Sequence, residues 1–123
     1  MERRFDIGCS VIFFDSHRQS HQALVTNWFH GSRNGLSVTE WESEQRARGI
    51  TSPLWMPCCN LLYVVQDESK TDPYGRQIER ATSCSYGRQQ GMTPFVGMCW
   101  CWPDEFEEAK ELAKKAYSEA VAK

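Results

Sequence analysis

The segment from Cys58 to Ser83 constrains the fold of this chain more than any other part of the sequence. It contains an unbroken apolar run, LLYVV at residues 61–65, which is typical of a β-strand. The turn-forming stretch DESKTDPYG follows at 67–75, and the chain resumes as QIERATS at 77–83 with apolar residues among polar ones. A strand, a turn and a second, weaker strand predict a β-hairpin or a strand–loop–strand corner.

Two further strand candidates come earlier in the chain, CSVIFFD at 9–15 and ALVTNWF at 23–29. Together with 58–66 and 77–84 they predict an α+β fold built on a small antiparallel barrel. A chain of 123 residues fits one domain with a real core. We therefore expect a single domain, 1–123, with the barrel at about 5–30 and 57–102, an insert at 31–56 and a C-terminal helix at about 103–122.

Helix-forming residues dominate two segments. At 37–48 either Ser37 with Glu40 or Thr39 with Glu42 would form a capping box, and Gly49 could end the helix, so a short inserted helix is expected. Pro103 opens an amphipathic helix with acids in its first turn and lysines later. Its apolar stripe, which should pack on another element, consists of Phe106, Ala109, Ala113, Tyr117 and Ala120.

The overall charge and hydropathy exclude several classes of protein. The formal net charge is -2 and the pI is ≈ 5.9, which argues against nucleic-acid binding through bulk charge. No apolar run approaches the roughly 18 residues that a membrane span needs, so no membrane association is expected. The N-terminus lacks the apolar core of a secretory signal, which predicts folding in a reducing cytoplasm.

Six cysteines are a high count for a protein folded under reducing conditions. The adjacent pair Cys58-Cys59 and the pair Cys99-x-Cys101 do not have the spacing of zinc knuckles, so free thiols in the core are favoured over a zinc site and no metal or other cofactor is expected. Oxidation outside the cell is a third state, and Cys99 with Cys101 is the first candidate pair. The residues of this possible disulfide or thiol cluster are Cys58, Cys59, Cys84, Cys99 and Cys101.

The histidines carry a weak signal. His17, His21 and His30 lie in or beside polar turns, and solvated side chains are favoured there. His17 and His21 could meet across a hairpin, but without an accompanying carboxylate cluster they predict no metal site. No nucleophile elbow, phosphate-binding loop or pair of catalytic carboxylates is present, so no catalytic residue is assigned and no enzyme is predicted.

Large aromatic residues and arginines provide the candidate interface residues. Several tryptophans lie in irregular or polar segments, where protein–protein anchors are often found. Arginines follow the Asp72–Gly75 turn and could pair with acids on a neighbouring chain, although solvated arginines beside a turn would serve as well. The interface candidates are Trp41, Trp55, Arg76, Arg80, Trp100, Trp102, Phe106 and Tyr117.

Three segments resemble a group of small proteins encoded by tailed bacteriophages and prophages. They are ALVTNW at 23–28, PCCNLLYVVQDE at 57–68 and, most distinctively, KTDPYGRQIERATS at 70–83. The resemblance implies a small SH3-like β-barrel. The longer insert at 31–56, the CSYGRQQ stretch after Ser83 and the C-terminal helix depart from the group's pattern, so no functional residue is carried over.

These observations lead to two expectations of different kinds. The first is a non-enzymatic virion structural protein, a capsid decoration or head-linking protein made in the host cytoplasm. Its partners would be other virion proteins, including the major capsid protein and further copies of itself. The second is a cytoplasmic zinc- or nucleic-acid-binding small-barrel module of the phage, against which the acidic pI and the cysteine spacing count.

Overall fold

The computed structural model describes residues 3–17, 19–29, 35–49, 56–87, 98–111 and 114–115. The strands in these ranges are, in chain order, β1 (Arg4–Phe5), β2 (Ser10–Phe14), β3 (Ser20–Trp28), β4 (Leu36–Ser37), β5 (Cys59–Val64), β6 (Thr71–Asp72), β7 (Gly75–Arg76), β8 (Ile78–Tyr86) and β9 (Cys99–Cys101). Five of them close into a barrel in the order β2-β3-β5-β8-β9. The prediction of an α+β fold with a small barrel is confirmed.

The barrel is mixed rather than fully antiparallel. Its neighbouring strands pair antiparallel except for β8 and β9, which run parallel, with Ser85 opposite Cys99 and Tyr86 opposite Trp100. The expectation of an all-antiparallel barrel is therefore wrong at this one pair. Parallel neighbours need a connection of about a dozen residues, and the segment from 87 to 98 is long enough to return the chain for such a pairing.

Alternating side chains fill the barrel. Along β3, His21, Ala23 and Val25 are buried, whereas Gln22 and Leu24 are exposed, as the period of two requires. The main core also contains aromatic side chains from elements other than the five barrel strands, namely Phe5 and Trp41. Its largest buried side chains are Trp41, Trp100, Tyr86, Phe5 and Phe13.

The insert contains the predicted short helix, α1 (Val38–Ala47). Ser37 caps its first turn, because its hydroxyl accepts from the backbone N–H of Glu40 at 3.1 Å and the Glu40 carboxylate accepts from the N–H of Ser37 at 3.4 Å. Gly49 follows the helix with φ +85°, a conformation that favours glycine. Trp41 and Gln45, one turn apart, are the buried residues of this helix.

A 3₁₀ turn, Pro103–Glu105, leads from β9 into a C-terminal helix, here α2, which comprises residues 106–111 and 114–115 of the described chain. Glu105 fixes the turn, since its carboxylate accepts from the Tyr86 hydroxyl at 2.5 Å and from the backbone N–H of Trp102 at 2.9 Å. Phe106 and Ala109 pack on the outside of the barrel, and the covered side chains are Ile12, Phe14, Cys99 and Cys101. The start of the predicted stripe therefore packs as expected, while Ala113, Tyr117 and Ala120 lie outside the described residues.

Candidate functional site

The tryptophans that were expected to anchor an interface lie in the core instead. Trp41 and Trp100 are fully buried and Trp102 is 4% exposed. Their indole rings contact other core rings, and the Trp100 Nε1–H donates to the carbonyl of Pro57 at 3.2 Å. These three residues offer no surface to a partner in the folded chain, while Trp55 and Tyr117 lie outside the described residues.

Phe106 keeps a half-buried position at the start of α2. Its ring lies 6.1 Å from the ring of Phe14, and the Lys110 ammonium sits 4.7 Å from its centroid. The contact with Phe14 joins α2 to the barrel, so Phe106 serves the fold of its own chain.

The two arginines of the turn region have different surroundings. Arg76 donates to the carbonyl of Gln66 at 2.6 Å and lies 4.0 Å from the Glu68 carboxylate, so it stabilises the base of the β6–β7 hairpin. Arg80 projects from the outer face of β8, and within the described part of the chain it has no hydrogen-bond or ion-pair partner. Before both arginines in the chain, Tyr74 stands at the tip of the β6–β7 hairpin with 97% of its surface exposed.

All six cysteines are free thiols. Cys59 and Cys84 face each other across β5 and β8 in the main core, and Cys99 and Cys101 lie together beneath α2. Burial raises the pKa of Cys84 and of Cys99 to about 12, so these thiols stay protonated at neutral pH. Four of the six cysteines thus form two buried groups, whereas Cys9 and Cys58 are half-buried, and the predicted oxidation of Cys99 with Cys101 stays a prediction.

His21 corrects the expectation that the histidines are solvated. Its side chain is 5% exposed, its Nε2 lies 2.8 Å from Asp15 Oδ2, and its ring packs against Phe13 and Tyr63. His17 is exposed as expected, and His30 lies outside the described residues. His21 also lines a small cavity of ≈ 160 Å³. Among the described residues, its Nδ1 has no hydrogen-bond partner, whereas its Nε2 is paired with Asp15.

An exposed apolar surface on the barrel wall is the feature that the sequence analysis did not single out. Leu24 is 48% exposed, Val64 49% and Ile78 65%, and half-buried Leu62 lies between them. These four residues, here the apolar strip, cross three adjacent strands, because Leu24 is opposite Leu62 and Val64 is opposite Ile78. They line a groove of ≈ 250 Å³.

A signal for this strip is present in the sequence. Side chains of a strand alternate between two faces, so an unbroken run such as LLYVV is apolar on both faces. In the barrel Leu61 and Val65 are buried, and Leu62 and Val64 point outward. When such a run lies in a strand whose outer face is exposed, the inner side chains fill the core. The outer side chains then indicate a second apolar contact on the outer face.

The described residues do not form a metal centre or a membrane span. Among them there is no group of three or more His, Cys, Asp or Glu side chains arranged to hold a metal ion. No helix in the described ranges is long and apolar enough to cross a membrane.

No known protein family, curated protein or solved structure matches this chain.

Proposed function

We propose that this chain is a non-enzymatic structural protein of a tailed-bacteriophage virion, a capsid decoration or head-linking protein with an SH3-like barrel. The observation that carries the proposal is the apolar strip, which is a contiguous, exposed apolar surface on the outer face of β3, β5 and β8. Such patches are typical of protein–protein contacts. The resemblance of residues 70–83 to small phage proteins supplies the virion context.

The hairpin beside the strip extends the surface available to a partner. It follows the end of the β5–β8 pair, where the N–H of Val65 donates to the carbonyl of Gln77 at 2.9 Å. Asp72 holds the tip through its Oδ1, which accepts from the N–H of Tyr74 at 2.8 Å. A stable interface buries about 800 Å² on each partner, which is more than four partly exposed side chains provide. The strip and the exposed Tyr74 ring together therefore form the proposed contact surface.

A zinc- or nucleic-acid-binding module is the second candidate, and its only support is the thiol count together with the barrel. The four most buried thiols are divided between two separate packing clusters. Among the described residues, the outer face of β3, β5 and β8 presents a single arginine rather than a basic stripe. About one zinc ion per purified chain, measured by elemental analysis, would favour this second function over the first.

Binding to phage particles tests the proposal directly. Particles made without this protein are mixed with the purified chain and separated by sedimentation, and the bound copies are counted by mass spectrometry. We expect saturable binding by the natural chain and its loss in Leu62→Glu, whereas Met98→Gln, a change at an exposed residue next to β9, should bind normally. A natural chain that stays entirely in the supernatant would refute the virion role.

A further inference from the structure

The outward-facing side chains around the strip have an unusual charge composition. Three adjacent strands, β3, β5 and β8, present an outer face made of apolar, hydroxyl and amide groups with one charge. Its residues are Gln22, Leu24, Thr26, Asn60, Leu62, Val64, Ile78, Arg80 and Thr82. The chain has 16 Asp and Glu residues, yet none is among these nine described residues. Protein interfaces show the same bias, with arginine enriched and lysine and acids depleted.

Arg80 is the charge on this face, and its position ties it to the strip. It is the register partner of Leu62, and it lines a second groove of ≈ 240 Å³ with Thr26, Asn60 and Thr82. A partner that covers the strip also buries this guanidinium. Because a buried charge without a counter-ion is strongly unfavourable, the partner must bring a carboxylate to it.

This requirement argues against a second copy docked through the same face. Two such faces placed together would contribute two arginines and no carboxylate. The occupant is therefore a different protein, with apolar side chains for the strip and an acid beside them for Arg80.

The barrel itself shows what kind of element fits its wall. It is closed, so this face has no free strand edge to which a partner strand could add. On the far side of the same barrel, an apolar group that includes Ile12 and Phe14 is covered by α2 through Phe106 and Ala109. That helix begins in the acidic sequence DEFEE at 104–108. The wall thus already binds one acidic amphipathic helix within the chain.

We propose that the apolar strip binds a second acidic amphipathic helix, supplied by another protein, with a carboxylate of that helix paired to Arg80. The identity of the partner as a virion protein rests on the proposed function, whereas the chemistry of the surface does not. The apolar face of the partner helix would lie across Leu24, Leu62 and Ile78, and its acidic flank would face β8.

Two synthetic peptides test this on the full chain. Both are amphipathic helices of about five turns with the same Leu/Ala face, one flanked by glutamates and the other by lysines. In NMR titrations of ¹⁵N-labelled protein we expect the glutamate peptide to shift amides of β3, β5 and β8. We expect it to bind at least about tenfold more tightly than the lysine peptide. Arg80→Glu should reverse that preference, whereas Arg48→Glu, the same charge change beyond the end of α1, should leave it intact.

Three results of the peptide titrations would overturn the proposal. They are equal binding of the two peptides, no binding of either peptide up to millimolar concentration, and binding that shifts only amides near α2. A concentration-dependent dimer that Leu62→Asn abolishes would also overturn it, because a second copy would then be the occupant. The particle experiment is independent, since a chain that binds the glutamate peptide but no particle refutes the virion role alone.

Discussion

At the scale of single residues, Asp15 organises the turn between β2 and β3. Its Oδ1 accepts from the backbone N–H of His17 at 2.8 Å and of Gln19 at 3.0 Å, and its Oδ2 contacts His21. Burial alone would raise the pKa of Asp15, but the hydrogen bonds from His21, Gln19 and His17 outweigh it and hold the pKa below the ordinary 3.8. The ionised carboxylate therefore stabilises the folded state.

We predict that Asp15→Asn lowers the free energy of unfolding by about 1–3 kcal/mol at pH 7, because charge-assisted hydrogen bonds are lost. A carboxyl group whose folded pKa is depressed contributes its stability above the unfolded pKa and loses it as the pH falls through the folded pKa. The difference from the natural chain should therefore shrink below about pH 4. Urea unfolding followed by tryptophan fluorescence at pH 7 and pH 3 measures both values.

A matched control is Asp72→Asn, which alters an exposed turn carboxylate that also accepts a backbone N–H. Its cost should stay within about 0.5 kcal/mol at both pH values, as for most surface substitutions. If Asp15→Asn costs as much at pH 3 as at pH 7, the charge of Asp15 is not the stabilising factor.

At the scale of elements, the capping box of α1 is a device whose contribution can be isolated. Ser37 is 2% exposed, and its hydroxyl provides the first turn with an acceptor that alanine lacks. We predict that Ser37→Ala lowers the free energy of unfolding by about 1 kcal/mol, as is typical of a lost N-cap. Ser43→Ala, the same change at an exposed position inside α1, should be neutral or slightly stabilising because alanine favours helices. Equal losses in the two variants would show that the cap contributes nothing specific.

The elements that the sequence predicted are those determined by neighbouring residues. The capping box, the turn at Asp72–Gly75 and the apolar runs of β2, β3 and β5 all depend on contacts within a few positions. The parallel pairing of β8 with β9 and the burial of Trp100 depend on segments far apart in the chain. The hydrogen bond from Trp100 to Pro57, which spans 43 positions, is an example. Local pattern cannot specify such contacts, so the sequence alone makes Trp100 an interface candidate.

The docking of α2 on the barrel provides the second prediction at this scale. Ala109 is fully buried against the side chains below the helix, so Ala109→Glu would place a carboxylate in an apolar contact. We expect the variant to lose about 2 kcal/mol or more of unfolding free energy. Ala47→Glu makes the identical change at an exposed position near the end of α1 and should cost less than about 0.5 kcal/mol. Unchanged stability of the Ala109 variant in urea titrations would mean that α2 contributes no docking energy.

At the scale of the whole molecule, the chain has two packing layers that share the barrel wall. The inner layer fills the barrel and contains Cys59 and Cys84, and the outer layer lies between the wall and α2 and contains Cys99 and Cys101. The two layers differ in what must move to expose them. Opening the outer layer requires release of one helix, whereas opening the inner layer requires the barrel strands to separate.

Thiol labelling can therefore report how the molecule opens. At pH 8 a thiol of pKa about 12, such as Cys84 or Cys99, is ionised in about one molecule in ten thousand even where reagent can reach it. Burial, which removes the thiol from water, also raises the pKa of Cys59 and of Cys101. Cys9 and Cys58 are only half-buried, so these two thiols should react first with iodoacetamide.

We predict that Cys99 and Cys101 react next, through transient release of α2, and that Cys59 and Cys84 react last, with global unfolding. Mass-spectrometric mapping of alkylated peptides over a time course in mild urea gives this order. Ala109→Glu should accelerate the reaction of Cys99 and Cys101. The labelling rate of Cys59 and Cys84 should change only as far as the variant lowers the free energy of global unfolding. If all four thiols react at one common rate in the natural chain and in the variant, the helix and the barrel open as a single cooperative unit. In that case the outer layer could not be exposed to oxidants without unfolding the barrel.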